Sequence, residues 1–104
     1  MTGQTMQVQV KVLPWFSEII VPGQRTQVEV ETELPPGSVL RSLLAGLAAR
    51  YARFDQAIYE PQSDALRETV IVTHNERLVS PAAALDLELK NGDTVALLPA
   101  YSGG

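Results

Sequence analysis

Leu89-Lys90-Asn91-Gly92-Asp93-Thr94-Val95-Ala96-Leu97-Leu98-Pro99-Ala100-Tyr101-Ser102-Gly103-Gly104 is the stretch that decides how this chain folds. Asn91-Gly92 is a strong tight-turn signal, since both residues accept the left-handed backbone that such turns require. Thr94 to Leu98 follows as a β-prone apolar run, the last strand of the chain. Along it Val95 and Leu97 share one parity, which sends them to the core, while Ala96 and Leu98 face the other way. An apolar Leu98 on a solvent face is a candidate partner contact, although single exposed leucines are common.

Working back toward the N-terminus, Thr69 to Thr73 (Thr-Val-Ile-Val-Thr) is apolar enough to lie inside a sheet. Asn75-Glu76 then predicts a turn, Arg77-Leu78-Val79 a short edge strand, and Ala82 to Leu85 a single helical turn. Arg53 to Leu66, polar and containing Pro61 and Ser63, predicts a long loop with at most one short turn. From Val39 to Ala52, Val39, Leu40, Leu43, Leu44, Leu47, Ala48 and Tyr51 cover half of a helical wheel. That pattern predicts one amphipathic helix, with Ser38 as N-cap after the Pro35-Pro36-Gly37 stop. Gly46, near the edge of the stripe, reads as a tolerated surface glycine or a close-contact position.

Two alternating segments precede the helix. Gln7 to Leu13 places Val8, Val10 and Val12 on one face; Thr26 to Leu34 does the same with Val28, Val30, Thr32 and Leu34. They predict an antiparallel hairpin with one wet face, Lys11 lying opposite one of the glutamates for at most roughly 1 kcal/mol. Pro14-Trp15-Phe16 breaks the first strand, and both aromatics are expected to cap the core rather than stack on a ligand. Ser17 to Val21 is ambiguous. Strand, strand, helix, strand, short strand, strand gives an α+β fold: a mixed sheet of four to five strands with one main helix packed across one face.

The chain has 104 residues, enough for one modest core, and a net charge of −4. Lys11 and Lys90 are the only lysines and the six arginines are scattered, so no basic stripe exists for nucleic acid. The absence of cysteine excludes disulfides, thiolate metal sites and Cys nucleophiles. No signal-peptide layout or membrane-length apolar run is present, so the expected location is cytoplasmic, with no membrane partner. His74, the only histidine, reads as structural; Asp86, Glu88 and Asp93 read as a solvated acidic face and not a metal site.

The element order, together with Leu89–Pro99 leading into Ser102-Gly103-Gly104, resembles the MoaD/ThiS family of β-grasp, ubiquitin-like sulfur carriers, with the molybdopterin branch nearest. Leu34-Pro35-Pro36-Gly37-Ser38 before a leucine-rich helix resembles that family's strand-to-helix passage, and Val70 to Glu76 its central strand and asparagine turn. The chain departs from the family in having Ala100 and Tyr101 before the last three positions, and Glu76 where a glycine is usual. The resemblance implies a single ubiquitin-like domain over residues 1–104, with 99–104 as an extended tail. It also implies that the Gly104 carboxylate is adenylated and then thiocarboxylated, donating sulfur in molybdopterin (molybdenum or tungsten cofactor) biosynthesis. Gly103 would let the tail thread a narrow channel, because a residue without Cβ clears a constriction that any side chain would meet. Leu98, Pro99, Ala100, Tyr101 and Ser102 are then the expected partner contacts.

The implied partners are an adenylyltransferase of the MoeB/ThiF type and a molybdopterin synthase large subunit of the MoaE type, or another sulfur acceptor. No cofactor is expected on the chain itself, ATP being consumed by the activating enzyme; whether the chain counts as the small subunit of a synthase stays open. Other outcomes of the same tail are a ubiquitin-like modifier conjugated to lysines and a ThiS-like carrier for thiazole synthesis. A non-catalytic interaction module with an incidental Gly-Gly is the remaining alternative.

Overall fold

A computed structural model describes residues 4–100 of the chain. Strand β1 (Met6–Val12) pairs antiparallel with β2 (Val28–Leu34), with Val8 opposite Thr32, Val10 opposite Val30 and Lys11 opposite Glu29. Val8, Val10 and Val12 are fully buried and the glutamates of β2 are exposed, as the alternation predicts. Lys11 does face Glu29 in register, but the Glu29 carboxylate accepts from Gln9 Nε2 (2.5 Å) and Gln27 Nε2 (3.3 Å).

Three further strands complete the main sheet: β5 (Val70–His74), β6 (Arg77–Leu78) and β7 (Thr94–Pro99). The order is β2-β1-β7-β5-β6, with β1 and β7 parallel and every other neighbour antiparallel. Asn75 and Glu76 turn β5 into β6 with φ of +50° and +71°, a left-handed pair matching the twist of a tight hairpin. Helix α2 (Leu40–Arg50) lies over one face through Leu40, Leu43, Leu44 and Leu47, each at most 1% exposed. A Cβ built on Gly46 would meet nothing, so that position is an open surface glycine.

Ser38 does not cap α2. Val39 is the N-cap, in extended conformation, and bridges to Glu88. The N–H groups of Leu40 and Arg41 bond to the carbonyls of Leu87 (2.9 Å) and Leu85 (3.0 Å). The returning chain supplies the acceptors that a capping hydroxyl would, so Ser38 Oγ donates back to Pro35 C=O instead (2.7 Å). Helix α4 (Pro81–Ala84), a single turn, opens that returning segment.

Two expectations fail for local reasons. Phe16 closes the core at 6% exposure, but Trp15 is 69% exposed. The N–H groups of Phe16 and Ser17 both return to Leu13 C=O, and this tight turn requires φ of +88° at Trp15, which swings its ring outward. Helix α1 (Ser17–Ile20) follows as one turn. The second failure is the supposed loop at 53–66, which is a packed lobe. Helix α3 (Phe54–Ala57) and the hairpin β3 (Tyr59–Glu60) with β4 (Ala65–Leu66) put Phe54, Ile58 and Tyr59 into the core, none above 2% exposure. Tyr59 Oη donates to Asp64 Oδ1 (2.6 Å), which also accepts from Arg41 Nε (2.8 Å), while Arg41 Nη1 reaches Asp86 (3.0 Å). Burial first, then Asp64, pushes the Tyr59 hydroxyl up to about 12; Arg41 and Tyr59 hold the Asp64 carboxyl below its ordinary range. These bonds tie the lobe to α2.

Candidate functional site: the β7 end of the sheet

Strand β7 is held from both sides, by β1 in parallel and β5 antiparallel, and Val95 and Leu97 are fully buried beneath it. Its start is bolted down. Gly92, at φ +88°, donates to Gln7 C=O (2.8 Å), and Gln7 N–H donates to Asn91 Oδ1 (2.8 Å). The Asp93 carboxylate takes Lys90 N–H (2.9 Å), lies 2.7 Å from His74 Nε2 and accepts from Asn75 Nδ2 (3.1 Å). Asn75 Oδ1 accepts from Thr94 N–H (2.9 Å), closing the knot between the β5 turn and β7.

Asp93 is therefore no part of a solvated acidic face; its side chain is 12% exposed. Burial pushes its carboxyl up, but the hydrogen bonds from His74, Asn75 and Lys90 outweigh burial and hold it below the ordinary range. Asp86 and Glu88 are exposed as predicted. His74 has an acid partner that sequence spacing did not reveal, and its work is structural. It stands at the start of β7, roughly 17 Å of extended strand from the other end. Among the described residues no cluster of three or more His, Cys, Asp or Glu is arranged to hold a metal ion, and no helix is long and apolar enough to cross a membrane.

At the far end Leu98 pairs with Ile71 and Pro99 with Val70, and Ala100 N–H bonds to Thr69 C=O (2.8 Å). Pro99 is thus the last residue of β7 rather than the first of a tail, and Ala100 is still fastened to the sheet. Ladder bonds alternate sides, so with Ala100 N–H pointing to β5 the Pro99 nitrogen points toward β1. There β1 has already turned away at Pro14, so the missing donor leaves no acceptor unmet. Tyr101, Ser102, Gly103 and Gly104 lie outside the described residues.

Leu98 lies half-buried on the sheet face opposite α2, as parity predicts. Register adds residues that the sequence reading missed. Ile71 opposite Leu98, and Ala96-Thr73-Leu78 as a cross-strand row, make an apolar patch around Leu98, with Leu78 75% exposed. Every position from Val70 to Val72 is apolar, so no periodicity in β5 could separate the outward Ile71 from its buried neighbours. Beside the patch a groove of about 550 Å³ runs between β5 and α4, lined by Leu66, Val70, Ile71, Leu78, Val79 and Pro81 among others. Across the same face Glu29, Glu31 and Glu33 form an exposed acidic row on edge strand β2.

The model of the ThiS family matches residues 19–104. Among solved structures, the Haloferax volcanii HVO 2177 protein superposes with a TM-score of 0.76 at 23% identity, covering 96% of this chain and 88% of that one. A Pyrococcus furiosus protein described as molybdopterin converting factor, subunit 1, gives a TM-score of 0.67 at 28% identity, covering 92% and 99%. Small archaeal modifier protein 1 of H. volcanii gives 0.72 at 17% identity, covering 92% and 99%. No curated protein matches this chain in sequence.

Proposed function

This chain belongs to the ThiS family of ubiquitin-like sulfur carriers and modifiers, and we propose that it carries sulfur as a thiocarboxylate on Gly104 for molybdopterin biosynthesis. The observation that carries the proposal is the path of β7. A central strand, knotted at Asp93 and clamped through Val95 and Leu97, ends at Pro99-Ala100 on one edge of the sheet, four residues before Gly104 in the sequence. A reacting terminus must enter another protein's active site, and a rigid strand that stops at the rim of the sheet provides that geometry.

In this scheme a Gly104 carboxylate oxygen attacks the α-phosphorus of ATP in an adenylyltransferase of the MoeB/ThiF type, and pyrophosphate leaves. The terminal sulfur of a persulfide then adds to the acyl carbon and AMP leaves; a thiol cleaves the resulting acyl disulfide, itself being oxidised to a disulfide, and leaves the thiocarboxylate. The chain contributes the carboxyl group, a Cβ-free residue behind it at Gly103 and a docking face, but no acid or base of its own. It has no cysteine, so no side-chain thiol can carry the sulfur as a persulfide. The apolar patch of Ile71, Leu78, Ala96 and Leu98 lies on the β5-β6-β7 side of the sheet that ends at Pro99, where it serves as the enzyme-facing surface. The Leu97-Leu98-Pro99 ending and the 28% identity to the Pyrococcus protein favour the molybdopterin branch, with a MoaE-type acceptor, over the thiazole branch.

Deleting Gly104 tests the proposal. The intact chain, incubated with the adenylyltransferase, ATP, a persulfide donor and a thiol reductant, should gain the mass of one oxygen-to-sulfur exchange at its terminus, and the deletion should not. Persistence of activation without Gly104 would refute the assignment. A ladder of Gly104-dependent adducts on denaturing gels of cell extract, without thiocarboxylate, would instead identify a protein modifier.

A further inference from the structure

The turn that opens β7 holds a reactive pair. Asn75 and Asn91 are the two asparagines of the chain, and only Asn91 is followed by glycine. A glycine nitrogen, with no Cβ beside it, reaches the carboxamide of a preceding asparagine without hindrance; the Cβ of Glu76 obstructs that approach at Asn75. Asn91 and Gly92 are both exposed. They border a polar depression of about 430 Å³, lined also by Gln9, Lys11, Glu29, Glu31 and Thr94, so water has access to them.

One residue of β1 restrains the pair. Gly92, at φ +88°, is the third residue of a turn closed by Asp93 N–H on Lys90 C=O (3.0 Å), the place where a type II turn takes glycine. Gly92 N–H donates to Gln7 C=O (2.8 Å), and Asn91 Oδ1 accepts from Gln7 N–H (2.8 Å). The nitrogen that would attack thus has its proton engaged, and the carboxamide is fixed on Gln7. Gln7 is the second residue of β1, beside Met6, which pairs with Leu34 and is 4% exposed. Strand ends open locally at lower cost than strand centres, so this lock yields where Met6 leaves the core.

We propose that Asn91 is a self-modification site gated by the N-terminal end of β1. When Gln7 lifts away, the Gly92 nitrogen gives its proton to solvent and bonds to Asn91 Cγ. The Cγ–Nδ2 bond breaks and ammonia leaves. Water then opens the succinimide at either carbonyl, giving aspartate or isoaspartate. Aspartate keeps an acceptor for Gln7 N–H in the same place. Isoaspartate leads the backbone through one extra methylene, so Gln7 no longer meets both groups and the end of β1 is not reseated. Because ammonia is lost, each modified chain keeps a permanent record that β1 has opened.

The full-length chain, held at pH 8 with and without denaturing urea, tests the gate, with peptide mass spectrometry following the gain of one mass unit at each asparagine. Asn91 should convert at least tenfold more slowly in the folded chain, equivalent to a local opening that costs 1.4 kcal/mol or more. Equal rates in the two states overturn the gate. In urea Asn75 should lag behind Asn91; equal rates there overturn Gly92 as the nucleophile. Met6→Ala should raise the folded-state rate at least threefold by loosening the end of β1. Ile58→Ala, which hollows the buried lobe of residues 54–66, should leave that rate within twofold of wild type. The opposite order overturns β1 as the gate. Isolated isoaspartate chains should melt below the Asn91→Asp variant; equal Tm overturns the failure of β1 to reseat.

Discussion

Ile58→Ala tests whether the segment between α2 and β5 is part of the core. Ile58 is fully buried; its N–H bonds to Phe54 C=O (2.9 Å), and its own carbonyl accepts from Arg67 N–H (2.8 Å). The substitution removes three methyl or methylene groups, about 2.4 kcal/mol at ~0.8 kcal/mol each. The site is closed in by Phe54, Tyr59 and α2 and cannot collapse fully, so a residual cavity raises the cost to about 3 kcal/mol. With a urea m-value of about 1.5 kcal/mol/M, the midpoint of unfolding should fall by about 2 M. Urea titration followed by far-UV circular dichroism reads this directly, with Leu78→Ala as the control. Leu78 is 75% exposed, so its truncation should stay within about 0.5 kcal/mol. A loss at Ile58 no larger than that of the control would refute the packed lobe and restore a solvated loop.

The Asp93 knot should give stability an acid limb. A carboxyl held below its ordinary value stabilises the fold fully above the unfolded-state pKa, near 3.9, and loses that contribution as pH falls through the lower folded value. Urea midpoints measured from pH 6 down to pH 2.5 should therefore drop less steeply in Asp93→Asn than in wild type; parallel profiles would refute the linkage. Glu76→Gly, at φ +71°, should raise stability by roughly 0.5 kcal/mol, since glycine adopts the left-handed backbone without a Cβ penalty. Calorimetry showing a lower Tm would contradict that. Leu98→Asp should lower Tm by about 5 °C or more while the chain still folds, because Leu98 is half-buried on the outer face and aspartate is disfavoured in a strand. The same change should weaken binding of the adenylating enzyme by an order of magnitude or more, the usual loss at a desolvated contact; unaltered binding by calorimetric titration would remove the patch from the docking surface.

Much of this fold was legible because its elements carry strong local signals. Val8, Val10 and Val12 alternate against polar residues, the leucines of α2 recur at helical spacing, and Asn91-Gly92 marks a turn by backbone chemistry alone. The parity of β7 correctly placed Val95 and Leu97 inside and Leu98 outside. Features that depend on partners distant in the chain were not legible. Ser38 looked like an N-cap because capping is read locally, yet the α2 amides found carbonyls at Leu85 and Leu87, more than 40 positions away. Phe54, Ile58 and Tyr59 were passed over because short helices and two-residue strands have too few residues to show a period. Trp15 and Phe16 following the first strand read alike as core caps, but the turn closing on Leu13 leaves Phe16 buried and Trp15 exposed.

By itself, then, the sequence determined the layer arrangement and the buried faces of the long elements, both properties of neighbouring residues. Only the tertiary structure decided that Asp93 is locked by His74 and Asn75, that Ile71 and Leu78 join Leu98 on one patch, and that the lobe of residues 54–66 closes over α2. Each of these joins residues from separate elements. Sheet register and helix packing create such contacts, and both are settled by how the whole core closes rather than by any single segment.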